Sequence, residues 1–220
     1  MQKTSKLLLY LCSLPKTIYF NLRCFPLKIA MKLPVLVAYD VKLGELHKNQ
    51  IRIDAPLKLF MIKFGIGGVP GIDAKRSQLW FQSGTVTFKG KATFAQGSSI
   101  RNNGELVFGD CFSGGKNIFV SCTKQIVFGN DILTGWNCAI RDSDGHTLIY
   151  NGEPKEAFKP VYIGNHVWIA AETHVLKGVK ILDNSVVAYR SLVVSAFDEE
   201  GILIGGSPAK KLQESVNWER

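Results

Sequence analysis

The clearest pattern in the chain is a branched apolar residue at every sixth position from Ile163 to Val193. The other members of the series are Ile169, Val175, Ile181 and Val187, and small or β-branched residues recur four positions after each step, from Val167 to Ser191. A period of six fits neither a helix, with about 3.6 residues per turn, nor a strand, with about 2. It is typical of a parallel β-helix, whose short strands and sharp corners place one residue per step in the interior.

The same spacing begins near Phe88, where Phe88, Phe108 and Phe128 recur at intervals of 20 residues. Three steps of six make one three-sided turn, and the two extra residues are expected to bulge at a corner. Gly114 and Thr134 fall at inward positions in this half. Because these are weak core residues, the first half of the coil fits the six-residue pattern less closely than the second.

The pattern divides the chain into parts. We predict a basic, irregular N-terminal segment over residues 1–60, a β-helix domain over 61–212 with an insertion at 141–160, and a short C-terminal helix over 213–220. Within the first segment, Lys6–Leu14 and Lys16–Phe25 are predicted as two short amphipathic helices, separated by Pro15. An insertion of this length in a compact domain is usually functional.

The net charge of +9 is concentrated near the start of the chain. Residues 1–63 hold eleven Lys or Arg and three acids, a net of +8, which leaves +1 for the remaining residues. The segment is expected to cap the open end of the coil, because an uncovered sheet edge invites aggregation. Contact of residues 1–30 with an anionic membrane surface is the second expectation, and both can hold.

Composition narrows the class of protein. No apolar run reaches the roughly 18 residues that span a bilayer, no secretory signal is expected, and no nucleic-acid-binding motif is present. The five cysteines form no paired motif and are predicted to be reduced, buried thiols of a cytoplasmic protein.

Three motifs follow one another in a fixed order. A histidine lies in the insertion, the six-residue pattern then resumes around a tryptophan, and a Pro-containing turn follows the last coil: Asp142-Ser143-Asp144-Gly145-His146, Ile163-Gly164-Asn165-His166-Val167-Trp168-Ile169 and Gly206-Ser207-Pro208-Ala209-Lys210. Over residues 88–212 the chain resembles the hexapeptide-repeat acyltransferases, and among them the galactoside, maltose and polysaccharide O-acetyltransferases. The resemblance implies an all-β fold, a left-handed parallel β-helix, because handedness does not follow from the spacing.

The resemblance also implies an activity: transfer of an acetyl group from acetyl-CoA to a sugar hydroxyl, without a metal, in a cytoplasmic homotrimer that serves surface polysaccharide biosynthesis. His146 would be the general base, a role that suits a neutral imidazole near pH 7. Asp142 or Asp144 would accept the other ring N–H, as the third member of a triad does. The alternative for these three residues is a solvated surface loop.

Six further residues are candidates for binding coenzyme A. Trp168 is expected to point outward beside the cofactor, or else to pack under the insertion or against a neighbouring subunit. Ala170, Ala171 and Ala188 would keep the surface flat for a pantetheine arm, and Tyr189 departs from the small residue usual in the family. Lys210 would meet phosphates as a point charge, whereas a solvated lysine pair with Lys211 is the alternative.

Other functions stay open at this stage. An N-acyltransferase acting on an amino sugar would share the histidine and the groove. His146, His166 and His174 could instead form a zinc site like that of the γ-class carbonic anhydrases, although the spacings differ. A non-catalytic scaffold would keep the coils but would not need the histidine loop or Trp168.

Overall fold

The computed structural model describes residues 2–220, with side chains from Leu7 onward. Within this range the helices are α1 (Gln2–Cys24) and α2 (Leu27–Ala30). The strands of the first half are β1 (Val35–Val37), β2 (Lys42–Leu43), β3 (Ile51–Ile53), β4 (Ile62–Phe64), β5 (Gln78–Phe81), β6 (Thr85–Phe88), β7 (Ala92–Phe94), β8 (Ser99–Asn102), β9 (Glu105–Phe108), β10 (Phe112–Gly114), β11 (Phe119–Cys122) and β12 (Gln125–Phe128). Those of the second half are β13 (Leu133–Thr134), β14 (Ala139–Arg141), β15 (Ile149–Tyr150), β16 (Glu153–Pro154), β17 (Val161–Ile163), β18 (Trp168–Ile169), β19 (His174–Val175), β20 (Lys180–Ile181), β21 (Val186–Val187), β22 (Leu192–Val193), β23 (Leu203–Gly206) and β24 (Ala209–Gln213).

The strands stack into the three faces of a prism. The nine-strand face has the order β1-β4-β7-β10-β13-β18-β21-β23-β24, the seven-strand face β2-β5-β8-β11-β14-β19-β22 and the six-strand face β20-β17-β12-β9-β6-β3. Each complete coil passes from the nine-strand to the seven-strand to the six-strand face. We call the turns between them the first corner (nine- to seven-strand), the second corner (seven- to six-strand) and the third corner (six- to nine-strand). The parallel β-helix predicted from the spacing is confirmed.

The six-residue series forms the interior of the prism. The side chains of Ile163, Ile169, Val175, Ile181, Val187 and Val193 are at most 2% exposed, and the intermediate positions from Val167 to Ser191 are equally buried. Burial of this continuous apolar column, at about 25 cal/mol per Å², is the main term that stabilises the coil.

Stacked phenylalanines fill the first half of the interior. The ring centroids of Phe88 and Phe108 lie 5.3 Å apart, and those of Phe108 and Phe128 lie 5.1 Å apart, each pair nearly parallel. Phe112 packs edge-on against Phe108 and Phe128, and its ring occupies the space that a side chain on Gly114 would need. Neighbouring side chains, including the Phe112 ring, thus supply the volume that Gly114 leaves.

The repeated Gly-Asp and Gly-Asn turns have a structural role at the third corner. The side-chain oxygen of Asn130 accepts a hydrogen bond from the backbone N–H of Asp110 at 2.8 Å. Asn165 and Asp183 do the same for the N–H groups of Asn130 and Asn165, at 2.9 and 2.7 Å. Each coil thus caps the corner of the coil before it, which explains why these residues recur.

The coil begins earlier than the predicted boundary at residue 61. Strand β1 pairs in parallel with β4, β2 with β5 and β3 with β6, so residues 35–53 form a complete first coil. The six-residue spacing did not reveal this coil because long corners, such as residues 65–77 between β4 and β5, break the count.

The N-terminal segment is not irregular: it begins with the single helix α1, which Pro15 does not end, in place of the two predicted helices. Three polar side chains of α1, those of Ser13, Thr17 and Asn21, point inward. The hydroxyls of Ser13 and Thr17 accept hydrogen bonds from the backbone N–H groups of Tyr39 and Val37, at 3.1 and 3.0 Å. The Asn21 amide bonds both the N–H and the C=O of Val35, at 3.3 and 2.7 Å.

These side chains replace the strand that would otherwise pair with β1, so α1 caps the open sheet. The bonds on both sides of Pro15 hold the helix together across the one backbone bond that proline removes. Pro15 itself is exposed, which lets water solvate the carbonyl left without a partner.

The predicted C-terminal helix is replaced by extended chain. Strand β24 pairs antiparallel with β23 and covers the last coil, and residues 214–220 continue without helical structure. Pairing with the otherwise open edge of β23 satisfies more backbone groups than a single short helix could.

The cysteines are all unpaired thiols, as predicted, but only Cys24, Cys122 and Cys138 are buried. Cys12 and Cys111 are exposed, which corrects the expectation that all five lie inside. Burial raises the pKa of the Cys138 thiol to about 11, so it is an inert core residue. Across the described residues, neither helix combines the length and apolar character that crossing a membrane requires.

Candidate active site

An apolar groove of about 430 Å³ lies at the first corner. It brings together five of the six residues predicted to bind the cofactor: Trp168, Ala170, Ala171, Ala188 and Tyr189. Trp168 points outward from β18, because Val167 and Ile169 on either side face the interior. The two alanines follow at the corner, and Ala188 and Tyr189 lie one coil later. Flat methyl groups along the corner leave room for a narrow, extended apolar ligand.

A second cavity of about 500 Å³ shares Gly135, Trp136 and Trp168 with this groove. It extends towards the N-terminal end of the prism, where Val69 and Pro70 of the long corner fold over the outer surface. Trp136 separates the two cavities together with Trp168, and the sequence analysis missed it. Its signal was a tryptophan at a corner position otherwise occupied by small or polar residues.

The sixth candidate, Lys210, does not line the groove. It is exposed on β24 and pairs in register with Gly205 of β23, which contacts Ala188. The neighbouring Lys211 is used differently, because its ammonium forms ion pairs with Glu199 and Glu214 at 2.8 and 2.7 Å. The two lysines are therefore not an equivalent solvated pair.

The insertion at 141–160 leaves the coil at the second corner and carries His146. It contains the hairpin β15–β16 and is closed at its base by an antiparallel bridge between Ser143 and Phe158. The His146 side chain is exposed. Leu148, Ile149 and Tyr150, which follow it, are more than 60% exposed, so the tip of the loop presents an apolar surface beside the histidine.

Asp142 has a different role from the one expected. Its carboxylate is fully buried and accepts hydrogen bonds from the backbone N–H groups of Thr123, Lys124 and Gln125 at 2.8, 2.6 and 2.8 Å. These bonds fix the base of the insertion to the preceding coil. The structure thus corrects the proposed contact with His146: the Asp142 carboxylate bonds the backbone at the base of the loop instead.

Asp144 also contacts a residue other than His146. Its carboxylate lies 2.6 Å from the ammonium of Lys177, and its N–H donates to the carbonyl of Ala157. Among the described residues, the His146 ring makes no hydrogen bond within one chain. Orientation of the imidazole by Asp144 remains a prediction. It would require Asp144 to give up its ion pair with Lys177.

The loop and the groove occupy different corners of the same chain. His146 lies at the second corner and the groove at the first, and none of residues 141–160 lines either of the two cavities described above. The seven-strand face separates them. His146 and the groove therefore do not form one site within a single chain.

A polar cluster lies at the third corner, and its residues were not predicted to come together. One ring nitrogen of His166 lies 2.6 Å from the Asp131 carboxylate, and the other lies 3.0 Å from the carbonyl oxygen of Trp218. The Arg220 guanidinium donates to the same carboxylate at 2.8 Å. The only signals were a histidine at a corner position and a tryptophan near the end of the chain.

Charge in this cluster favours the imidazolium form. The hydrogen bond to Asp131 raises the pKa of His166 above its ordinary value, although desolvation opposes the shift. Desolvation works to raise the pKa of Asp131, but the bonds from His166 and Arg220 outweigh it and hold the pKa below the usual range. Both ring nitrogens then donate, each to an oxygen.

The three histidines of the zinc alternative do not meet. His146 is on the insertion, His166 is bound to Asp131 at the third corner, and His174 is exposed on the seven-strand face. Within the described part of the chain, no three His, Cys, Asp or Glu side chains are grouped closely enough to hold a metal ion together.

Comparisons with known proteins agree with this architecture. A crystallographic structure of a polysialic acid O-acetyltransferase superposes with a TM-score of 0.54 and 23% identity, over 82% of this chain and 87% of the other. A polysialic acid O-acetyltransferase of Neisseria meningitidis is 36% identical over 109 residues, 49% of this chain and 51% of the relative. A chloramphenicol acetyltransferase of Morganella morganii is 46% identical over 57 residues, 26% of this chain and 27% of the relative.

The chain thus spans between about a quarter and about half of the length of these curated relatives. No family model matches it. The fold is the left-handed parallel β-helix. The resemblance to the hexapeptide-repeat acyltransferases, including the sugar O-acetyltransferases, is confirmed by fold and by sequence.

Proposed function

We propose that this protein is an acetyl-CoA-dependent acyltransferase that acetylates a sugar hydroxyl. The observation that carries the proposal is the convergence of Trp168, Ala170, Ala171, Ala188 and Tyr189 on one groove of about 430 Å³. The pantetheine arm of acetyl-CoA would lie along the alanines, and Lys210 would meet its phosphates. The matched polysialic acid O-acetyltransferases support a polysaccharide acceptor, and so a place in surface polysaccharide biosynthesis.

The chemistry moves one proton in two transfers and needs no acyl-enzyme. His146 removes the proton from the acceptor hydroxyl as its oxygen attacks the thioester carbonyl carbon. The carbon–sulfur bond then breaks, and the thiolate of coenzyme A takes the proton from the imidazolium. General-base help of this kind accelerates a reaction by roughly 10²–10⁴-fold. The exposed position of His146 leaves it accessible to the acceptor.

The test is release of free thiol from acetyl-CoA in the presence of a panel of sugars. O-acetyl transfer predicts turnover with sugars that lack a free amine. Turnover only with amino sugars would favour N-acyl transfer, and no turnover with any acceptor would favour a scaffold. Stoichiometric zinc in the purified protein would revive the metal alternative.

The distance between the loop and the groove in one chain supports an oligomer with shared sites. His146 of one subunit would complete the groove of the next, because loop and groove lie at different corners of each chain. A closed ring of identical subunits joined head to tail satisfies this arrangement, and the family resemblance favours three. Light scattering on the purified protein measures the number directly.

Mixing two inactive variants tests whether the site is shared. His146→Ala removes the base, and Ala188→Trp blocks the groove. In a refolded mixture at equal amounts, about a quarter of the interfaces combine an intact loop with an intact groove, and we expect activity to return to that level. A mixture as inactive as its components, with the wild type active, would exclude a shared site.

The outer surface of α1 supports contact with an anionic membrane. Leu7, Leu8, Leu11, Ile18, Tyr19 and Leu22 are between 44% and 62% exposed along one side of the helix. No acidic residue precedes Asp40 in the sequence, whereas six Lys or Arg do. This combination is typical of helices that lie at an anionic lipid interface, which would place the protein in the cytoplasm at the inner membrane surface.

Point variants test this contact better than truncation, because α1 also caps the coil. Leu11→Glu and Leu22→Glu should weaken sedimentation with phosphatidylserine vesicles, and high salt should weaken it further. The matched control is Leu212→Glu, which is 60% exposed at the other end of the prism. Equal binding by all three variants would refute the contact.

A further inference from the structure

The outward side of the seven-strand face carries a row of cationic and aromatic residues. Arg101 of β8 lies between Trp80 of β5 and Ser121 of β11, and Ser121 pairs in turn with Arg141 of β14. Both arginines point outward and are exposed, because Ile100 and Ile140 before them are buried in the core. With about 4.8 Å between neighbouring strands, the two arginines lie about 10 Å apart.

Charge on this face is of one sign. The seven strands contain no Asp or Glu. Within the described residues, neither Arg101 nor Arg141 forms an ion pair. Lys42 adds a further positive charge, with its ammonium 5.6 Å from the centroid of the Trp80 ring. Arg190 and Arg220, which are also exposed, each have a carboxylate partner.

A hollow lies along this row. It measures about 240 Å³ and is lined by Trp80, Arg101, Ser121 and Thr123, together with Gln82 and Asn103. The lining combines a flat aromatic surface, against which a sugar ring can pack, with hydroxyl and amide groups that can hydrogen-bond sugar hydroxyls. Guanidinium groups bind carboxylate and phosphate oxygens in bidentate geometry.

The position of the hollow relates it to the proposed site. Arg141 immediately precedes Asp142, whose buried carboxylate anchors the insertion that carries His146. The groove lies at the other corner of the same face. An acceptor held on the seven-strand face is therefore adjacent to the base of the histidine loop.

From these observations we infer that the seven-strand face binds the acceptor and selects an anionic sugar, one that bears carboxylate or phosphate groups, through Arg101 and Arg141. The inference rests on the proposed function in one respect, that the bound sugar is the acceptor of the acetyl group. Binding of the sugar itself does not require acetyl transfer. It predicts that acidic oligosaccharides bind better than neutral ones of equal length.

Calorimetry on the full-length protein without acetyl-CoA tests the inference, with trigalacturonate as the acidic probe and maltotriose as the neutral one. Trigalacturonate should bind about tenfold or more tightly than maltotriose, and less tightly as salt is raised. Arg101→Ala and Arg141→Ala should each weaken the binding of trigalacturonate about five- to tenfold. The matched control is Arg52→Ala, an exposed arginine on the six-strand face, which should change nothing.

Equal binding of the two sugars, or equal affinities in the three arginine variants, would overturn the inference. Thermal unfolding of each variant confirms that it is folded. Competition by inorganic phosphate would extend the site to phosphorylated sugars, and lack of competition would assign it to carboxylates; both results retain the anionic site.

The same measurement in His146→Ala separates this inference from the proposed function. Binding does not need the base, so trigalacturonate should bind His146→Ala as it binds the wild type. A wild type that binds trigalacturonate but transfers no acetyl group would refute only the enzyme. Acetyl transfer to neutral sugars at a rate that Arg101→Ala and Arg141→Ala leave unchanged would refute only the anionic site.

Discussion

The His166 and Trp218 rings stack face to face, with centroids 4.3 Å apart and an angle of 8° between the planes. The indole N–H of Trp218 also donates to the backbone carbonyl of His166 at 2.9 Å. The centroid of the Trp218 ring lies in turn 6.4 Å from that of Trp168, one of the residues that line both cavities. The C-terminal tail therefore supports the wall of the groove from outside.

This tail should loosen as pH rises. The pKa of His166 is raised in the folded protein, so the stabilisation is complete below the unfolded value of about 6.5 and is lost as pH rises through the folded value. A neutral ring cannot donate to both Asp131 and the carbonyl of Trp218. We expect faster amide hydrogen exchange in residues 214–220 above that pH, after correction for intrinsic rates.

Asp131→Asn is the variant for this measurement, because it removes the charge and keeps the shape. It should shift the loosening of the tail to lower pH. His174→Gln, a change at an exposed histidine on another face, is the control. A tail whose corrected exchange is independent of pH in the wild type would contradict the role given to His166.

Replacement of Asp142 should destabilise the protein rather than act on the chemistry alone. Asp142→Ala leaves three backbone N–H groups at the second corner without their acceptor. The expected loss in the free energy of unfolding is about 3 kcal/mol, with local opening of the insertion. Asp144→Ala, which removes only a partly exposed ion pair, is the comparison and should cost less than about 1 kcal/mol. Similar denaturant midpoints for the two variants would refute the anchoring role.

The helix cap is tested by Thr17→Val, which keeps the shape of the side chain. The N–H of Val37 would lose its acceptor in a buried position, at an expected cost of about 1–3 kcal/mol. Ile18→Thr, on the exposed side of the same helix, should leave the stability nearly unchanged. Urea unfolding compares them, and equal stability of both variants would show that the inward polar residues do not hold α1 on the coil.

The interior of the coil was predictable because its physical requirement is local and repeated. Every inward position from Ile163 to Val193 follows from one spacing, and all of them are buried. The grouping of five candidate residues in one groove was predictable because the motif around Trp168 is continuous in sequence and one coil returns Ala188 beside Ala170.

What could not be predicted depends on contacts between distant segments. The first coil was not predicted because long corners interrupt the six-residue spacing before Phe88. The inward polar side of α1 contradicts ordinary amphipathic patterning, and only the unpaired backbone of β1 explains it. Asp142 and Asp144 stand within a few residues of His146, yet the backbone of residues 123–125 and Lys177 bind them instead.

The central claim is that His146 is the base in transfer of an acetyl group to a sugar. Its most direct test is mass spectrometry of the acceptor after incubation with acetyl-CoA, comparing the wild type with His146→Ala and with His47→Ala, an exposed histidine outside the insertion. We predict that the acetylated sugar forms with the wild type and His47→Ala and that its rate falls by roughly 10²–10⁴-fold with His146→Ala, while binding of coenzyme A is unchanged. Equal rates of acetylation in all three proteins would contradict the account.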